Sequence, residues 1–373
     1  MLNISRDDGF TLAELLVATS VMLLVTGTAL TTFRNALTIN DSAAQLADAN
    51  QNLRAGTNQL IRDLMTAGRI IGPGGIPLPT GAGVNAFSRP GPPNTTMTFN
   101  LVTDDDTSLN LPDITTGYQL GATINGSQTD MVTIMTVDEF MPVIQGPPVI
   151  LASPTSIEGT IAPDGSSVAF PPTSVWLVGD TTYDTGPINV GDLVLFKNAN
   201  GMAMQTVTSK DTTHIYFAVT DWFHFNQRGT ALSGTVLSIK NTVDTTSAFP
   251  TTMLMRAVMI TYYVDNTTTP GTPRLTRLVN HFTPQALAGV VEDLDLSYDL
   301  VDGVINPTAI TSLPFTDVGA GVTYNSNQIR KVNIHVGVRS ETASKPTQDY
   351  VRNHVSTAVD VRSLASVDRY VVQ

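Results

Sequence analysis

The pattern of apolar and polar positions changes twice along the chain. From Phe10 to Phe33 the run FTLAELLVATSVMLLVTGTALTTF is apolar, with Glu14 as its one formal charge and Arg34 closing it. As a helix rising about 1.5 Å per residue, such a run spans roughly 36 Å, enough to cross a hydrocarbon core of about 30 Å. The pattern therefore predicts a membrane helix over 10–33. Beyond Arg34 polar residues rise in number while the helical period persists. Ile39, Leu46, Leu53 and Leu60 recur seven apart, with Ala43 and Leu64 on the same side. The other faces carry Asn40, Asp41, Asp48, Asn50, Gln51, Arg54 and Asn58. One continuous helix of about 60 residues follows, whose amphipathic half, 34–71, lays the Ile39 to Leu64 stripe on a β-sheet. Gly68, Gly72, Pro73, Gly74 and Gly75 end it. A two-helix coiled coil is the competing use of that stripe, and Asn50 and Thr57 at its seam positions count against it.

From Thr96 onward the period shortens to that of strands. Short apolar runs stand between turn residues at Met97 to Thr103, Asp130 to Val137, Ser174 to Val178, Asp192 to Lys197, Met202 to Thr208 and His214 to Val219. Further runs lie at Val236 to Ile239, Met253 to Asp265, Arg274 to Asn280, Leu294 to Leu300, Ile329 to Arg339 and Val355 to Val361. Asn200-Gly201 between two of them is a hairpin signal. In Glu292 to Leu300 the alternation is strict, placing Leu294, Leu296, Tyr298 and Leu300 on one face and Asp293, Asp295 and Asp299 on the other. Residues 72–95 are too rich in Gly and Pro for a helix or a central strand and are expected to cross the surface as a connection. The predicted fold class is α+β: a long N-terminal helix packed on a large antiparallel head, 72–373.

Composition narrows the chemistry. There is no cysteine among the 373 residues, which excludes disulfides, thiolate metal sites and cysteine nucleophiles. The formal net charge of −12 repels nucleic acid, so none is expected as a partner. The five histidines fall in no HExxH pattern, and no GxSxG or P-loop occurs, so no catalytic residue, metal or cofactor is assigned. His214, Asp221 and His224, with Trp222, Phe223 and Phe225 between and beside them, come nearest to a ligand cluster, and strand packing accounts for them better. The aspartates of 293–299 read as a solvated strand face, since Tyr298 stands where a calcium loop of the helix-loop-helix type needs Gly. Asp104-Asp105-Asp106 reads as a loop tip.

Glu14 is the unusual residue. An ionised carboxylate in hydrocarbon costs a few kcal/mol, on the order of 2.5–3.5 by insertion measurements, unless a partner neutralises it. Cleavage between Gly9 and Phe10 would create an α-amine one helical turn away, and in a bundle of staggered identical helices that amine meets the Glu14 of a neighbour.

The segment Gly9-Phe10-Thr11-Leu12-Ala13-Glu14-Leu15-Leu16-Val17-Ala18 resembles the signal of type IV prepilins and type II secretion pseudopilins. The resemblance implies a leader, 1–9, removed by a prepilin peptidase after Gly9, N-methylation of Phe10, and an assembly role for Glu14. The leader departs from the family in carrying Asp7 and Asp8 beside the cut, with Arg6 as its only basic side chain. A general secretory signal cut near Gly27 and Ala29, or a plain single-pass anchor, are the competing uses of the same run.

A looser, collinear likeness to the large PilW-like minor pilins extends through Thr129 to Ile134, Gly191 to Leu195, Tyr262 to Asp265, Leu275 to Arg277, and Leu287 to Leu294 with Tyr298. It leaves 138–250 as a possible inserted subdomain. The family implies a minor pilin acting in initiation, capping or tip display. It is held in inner-membrane lipid with its head in the periplasm, then built into a pilus with other pilin subunits. A minor pseudopilin of type II secretion, or a tip adhesin, is the alternative. A membrane-anchored enzyme is the remaining class, and no motif asks for it.

Overall fold

The computed structural model describes residues 11–71, 74–101, 109–137, 150–151, 159–179, 187–228, 233–240, 249–250, 252–343 and 349–361. Gly9, Phe10 and Asp104 to Asp106 lie outside them. Helix α1 spans Leu12–Met65, 54 residues without a proline. Thr11 caps its start, and Thr66 closes its end by donating its N–H to the carbonyls of Asp63 and Leu64. Gly68, at φ +71°, then takes the left-handed turn that an L side chain resists, and its N–H donates to Met135 O at 2.9 Å.

Among the described residues ten antiparallel strands form the principal sheet system: the two-residue Ile150–Leu151, and β1 (Ile114–Gly117), β2 (Met131–Val137), β3 (Leu193–Asn198), β4 (Gly201–Thr206), β5 (Thr252–Asp265), β6 (Arg274–Val279), β7 (Gln285–Leu300), β8 (Ile329–Arg339) and β9 (Arg352–Asp360). β5 is the hinge of the arrangement. Its N-terminal half pairs with β3 and its C-terminal half with β6. Because Ala257 faces β3 and β2 at once, and Ile260 faces β6 and β2, β2 lies along the opposite edge from both. β7 pairs first with β6, then with β8, which carries β9. β3 and β4 form the expected hairpin, turning at Ala199-Asn200 and resuming at Gly201, φ +140°.

α1 packs on the β7-β8-β9 side of this system. Its buried stripe is Ala49, Leu53, Gly56, Thr57, Leu60, Asp63 and Leu64, a helical spacing of three and four. At Gly56 an added Cβ would come within 2.8 Å of Ala288 Cβ, so the missing side chain sets how closely helix and sheet approach. The stripe is shorter than the sequence implies. Ile39 is 69% exposed and Ala43 also faces solvent, so only the last four turns rest on the sheet.

β2 is buried at all seven positions because both its faces are covered. Val132 and Ile134 join the core under α1, while Met135 and Val137 join a second core formed with Ile76, Leu78 and Phe87. That second core corrects the reading of 72–95. Ile76, Leu78, Phe87 and Arg89 are each at most 4% exposed, so the segment is anchored in the core at both ends, while Gly81 to Gly83, Asn85 and Ala86 between them stay on the surface as expected. The guanidinium of Arg89 holds it there, donating to Thr133 Oγ1, Thr116 O and Thr115 O at 3.1, 2.7 and 3.0 Å. Its pKa is lowered to about 10 by burial.

A third core lies under residues 161–254 and includes Trp176, Phe196 and Phe217. Two expected strands are helical there. Val175–Val178 forms one helical turn, with Ser174 Oγ accepting from Trp176 N, and Val236–Ile239 is a 3₁₀ turn. Four-residue apolar runs do not distinguish strand from buried turn by period alone. Of the expected Met97 to Thr103 strand, only Met97–Thr98 is paired within the described residues.

Candidate functional site

The first half of α1 packs against no other element among the described residues. Residues 11–37 are all exposed, and α1 is the one helix among the described residues long and apolar enough to cross a membrane. Five of its hydroxyls are satisfied within the helix. The hydroxyls of Thr19, Ser20, Thr28, Thr31 and Thr32 donate to carbonyls three or four residues back at 2.7–3.0 Å, which is how hydroxyl residues are accommodated in an apolar environment.

Glu14 sits in the first turn as half of a capping box. Thr11 Oγ1 accepts from Glu14 N at 3.3 Å, and Glu14 Oε2 accepts from both Thr11 N and Thr11 Oγ1, at 3.0 and 2.9 Å. The carboxylate thus lies at the positive end of the helix dipole, with its side chain fixed on one oxygen by two donors. Gly9 and Phe10 lie outside the described residues, so the cleavage and methylation positions are not placed.

The second half of α1 is bolted down by a polar cluster that sequence reading missed. Asp63, 7% exposed, takes Tyr262 Oη and Arg277 Nε on Oδ2, each at 2.7 Å, and Gln59 Nε2 on Oδ1 at 3.0 Å. Tyr262 belongs to β5 and Arg277 to β6, so one helical carboxylate ties together the two central strands. Burial and the adjacent Asp63 charge push the Tyr262 hydroxyl well above its ordinary range. Burial alone would lower Arg277, but the hydrogen bond and charge of Asp63 outweigh it and raise the guanidinium. The sequence did carry a signal: Asp63 follows Leu60 by three on the apolar side, where a carboxylate needs a buried cation. A second tie joins Asn50 of α1 to Asn353 of β9 through their amides.

The residues screened for chemistry do not converge. His214 Nδ1 lies 2.8 Å from Thr213 Oγ1 and 3.6 Å from Asp211. Asp221 accepts from Thr206 Oγ1, Phe225 N and Asn226 N, closing a buried turn. His224 Nδ1 instead meets Ala86 O at 2.7 Å, and Trp222 stacks on His281 with centroids 3.9 Å apart. Among the described residues no group of three or more His, Cys, Asp and Glu is arranged to hold a metal ion. Asp293, Asp295 and Asp299 line the face of β7 turned away from α1, as the alternation predicts. Burial, then Asp293, raise the Asp295 carboxyl.

The segments on which the PilW-like likeness rests fall in β2, β3, β5, β6 and β7, the strands of the central sheet. They position the helix and present no chemical group of their own. No family model, no curated protein and no solved structure matches this chain.

Proposed function

We propose that the chain is a minor pilin-like assembly subunit of a type IV pilus. In this reading it is inserted through 10–33 and acts in initiation, capping or display at the filament tip. One observation carries the reading: a single 54-residue helix whose C-terminal half is clamped to a sheet while its N-terminal half, apolar and wholly exposed, begins with a lone carboxylate.

The physical sequence is direct. Lipid covers the exposed half before assembly, and neighbouring helices replace lipid in the filament. Glu14 costs least where a cation meets it, so the amine of a processed Phe10 on an adjacent subunit selects one axial stagger out of many. The β domain then sits at a fixed height beside the filament axis, because the Asp63 cluster prevents α1 from sliding on the sheet. On this reading the prepilin peptidase, inner-membrane lipid and other pilin subunits are the partners, and no chemical turnover is involved.

The test is the intact mass and N-terminal sequence of the protein recovered from membranes with and without the prepilin peptidase. The expected chain begins at methylated Phe10 only when the peptidase is present, and Gly9→Leu blocks the cut. A chain that retains Met1 in both cells, or one cut after Ala29, overturns the assignment.

A further inference from the structure

Among the described residues the principal sheet ends at β9, whose outer edge pairs with no strand. Val361 N donates to Arg330 O, and Ser340 N donates to Val351 O, so the odd-numbered residues of this strand direct their backbone groups inward to β8. By the alternation of antiparallel pairing, Arg352, His354, Ser356, Ala358 and Asp360 direct both N–H and C=O to the free edge. No strand pairs with them among the described residues, and their side chains are all exposed.

Sheet edges are ordinarily guarded by proline, charged side chains, a bulge or short length. β9 carries charges only at its two ends, Arg352 and Asp360; it is nine residues long, contains neither Pro nor Lys, and pairs with β8 without a register shift. The edge at β1 differs, being four residues long and buried throughout.

We propose that the free edge of β9 receives an extended strand from a different subunit, which continues the sheet beside α1. The edge defines the chemistry of that strand. Toward α1 it meets Val355 and Val359 and calls for apolar residues. On the outer face it meets Arg352, whose guanidinium already holds Glu292 at 2.7 Å, and at the other end Asp360, and calls for polar residues with a basic one opposite Asp360. A second copy of this chain fits poorly. Antiparallel self-pairing of β9 needs a two-fold axis perpendicular to the sheet, and that axis reverses α1, which lies along the sheet face. Subunits anchored in one membrane cannot point their helices in opposite directions. This exclusion alone rests on the anchored reading above; the strand-addition chemistry does not.

The test is amide hydrogen exchange of the full chain, first in detergent micelles and then in the membranes of its own cells. In micelles the amides of the five even residues exchange fast while those of Asn353, Val355, Thr357 and Val359 are protected. In membranes the even amides slow by about 100-fold or more, leaving protection on both parities. Ser356→Cys supplies the only thiol in the chain and is expected to cross-link to an alternating segment of another subunit. Ala358→Pro removes one outward N–H and, the side chain being apolar, no bond to β8, so it should keep the unfolding midpoint and lose the protection; Ala358→Lys serves where proline prevents folding. Three outcomes overturn the proposal: even amides slow already in micelles, because residues 362–373 or another part of the chain fill the edge; even amides fast in membranes; or a Ser356→Cys cross-link to a second copy. A processed chain with an unprotected β9 defeats strand addition alone. A protected β9 on an unprocessed chain defeats the pilin reading alone.

Discussion

The two halves of α1 are built from one continuous helix and solve opposite problems. Residues 11–37 expose every side chain, whereas Ala49 to Leu64 bury a stripe against β5 to β9. The difference lies in where the polar groups go. In the exposed half the hydroxyls of Thr19, Ser20, Thr28, Thr31 and Thr32 return to their own backbone and Glu14 returns to Thr11, so these groups do not reach toward the β domain. In the buried half Asp63, braced by Gln59 one turn back, reaches outward to Tyr262 and Arg277 on the strands. A self-satisfied apolar surface is suited to lipid or to other helices; a surface with outward polar ties is committed to one partner.

Asp63→Ala is the sharpest way to break the committed half. It leaves the Arg277 guanidinium buried without its carboxylate and removes the acceptor of Tyr262. Loss of one partner of such a pair costs about 3–5 kcal/mol. Urea unfolding of the full chain in micelles should show that loss, with helicity of the first half unchanged. A change below about 1 kcal/mol would mean that the cluster does not hold the helix.

Asp113 gives an effect of similar size and opposite sign. It is 2% exposed, its Oδ1 has no hydrogen-bond partner among the described residues, and it lies against Gly68 where α1 ends. Burial raises its carboxyl from 3.8 to about 7. Between those values the folded chain holds a proton that the unfolded chain releases, so this group's contribution to stability is full below about pH 4 and declines as pH rises to 7. The decline is about 1.4 kcal/mol per pH unit, then levels off. Asp113→Asn should remove that slope and stabilise the chain by at most about 4 kcal/mol at pH 8, with little change at pH 4. Parallel urea titrations of both proteins from pH 4 to 8 decide it.

Along the stripe itself, Leu53→Ala is expected to cost about 2–5 kcal/mol and Leu46→Ala well under 1, although both occupy the same heptad position. Leu53 is 3% exposed and Leu46 37%. This pair shows how far the sequence could be read. Period and composition give the helix, its approximate end and most long strands, because each rests on local alternation. They do not say where a helix meets its sheet, since that depends on where the sheet stops. The same limit hid the burial of Ile76, Leu78 and Phe87, whose Gly- and Pro-rich setting looks like surface while long-range partners on β2 enclose it. At the candidate site Glu14 stood out as a lone charge in an apolar run. Asp63 did not, because its meaning depends on Arg277, more than two hundred residues away.

Glu14→Ala is expected to have the smallest effect on folding and the most informative one on function. Its side chain contacts only Thr11, and the β domain does not touch that turn, so urea unfolding of the β domain should move by less than about 0.5 kcal/mol. Losing the cap frays the first turn, yet removing a carboxylate from hydrocarbon favours insertion, so the variant should be at least as well anchored as the wild type. If Glu14 sets the axial stagger, incorporation into filaments falls sharply while membrane abundance holds. Glu14→Gln then separates the two possible roles: it keeps an acceptor for Thr11 but cannot attract a neighbouring amine. Assembly that survives in Glu14→Gln and fails in Glu14→Ala would assign the residue to capping, whereas failure of both, with the β domain intact, assigns it to charge pairing between subunits.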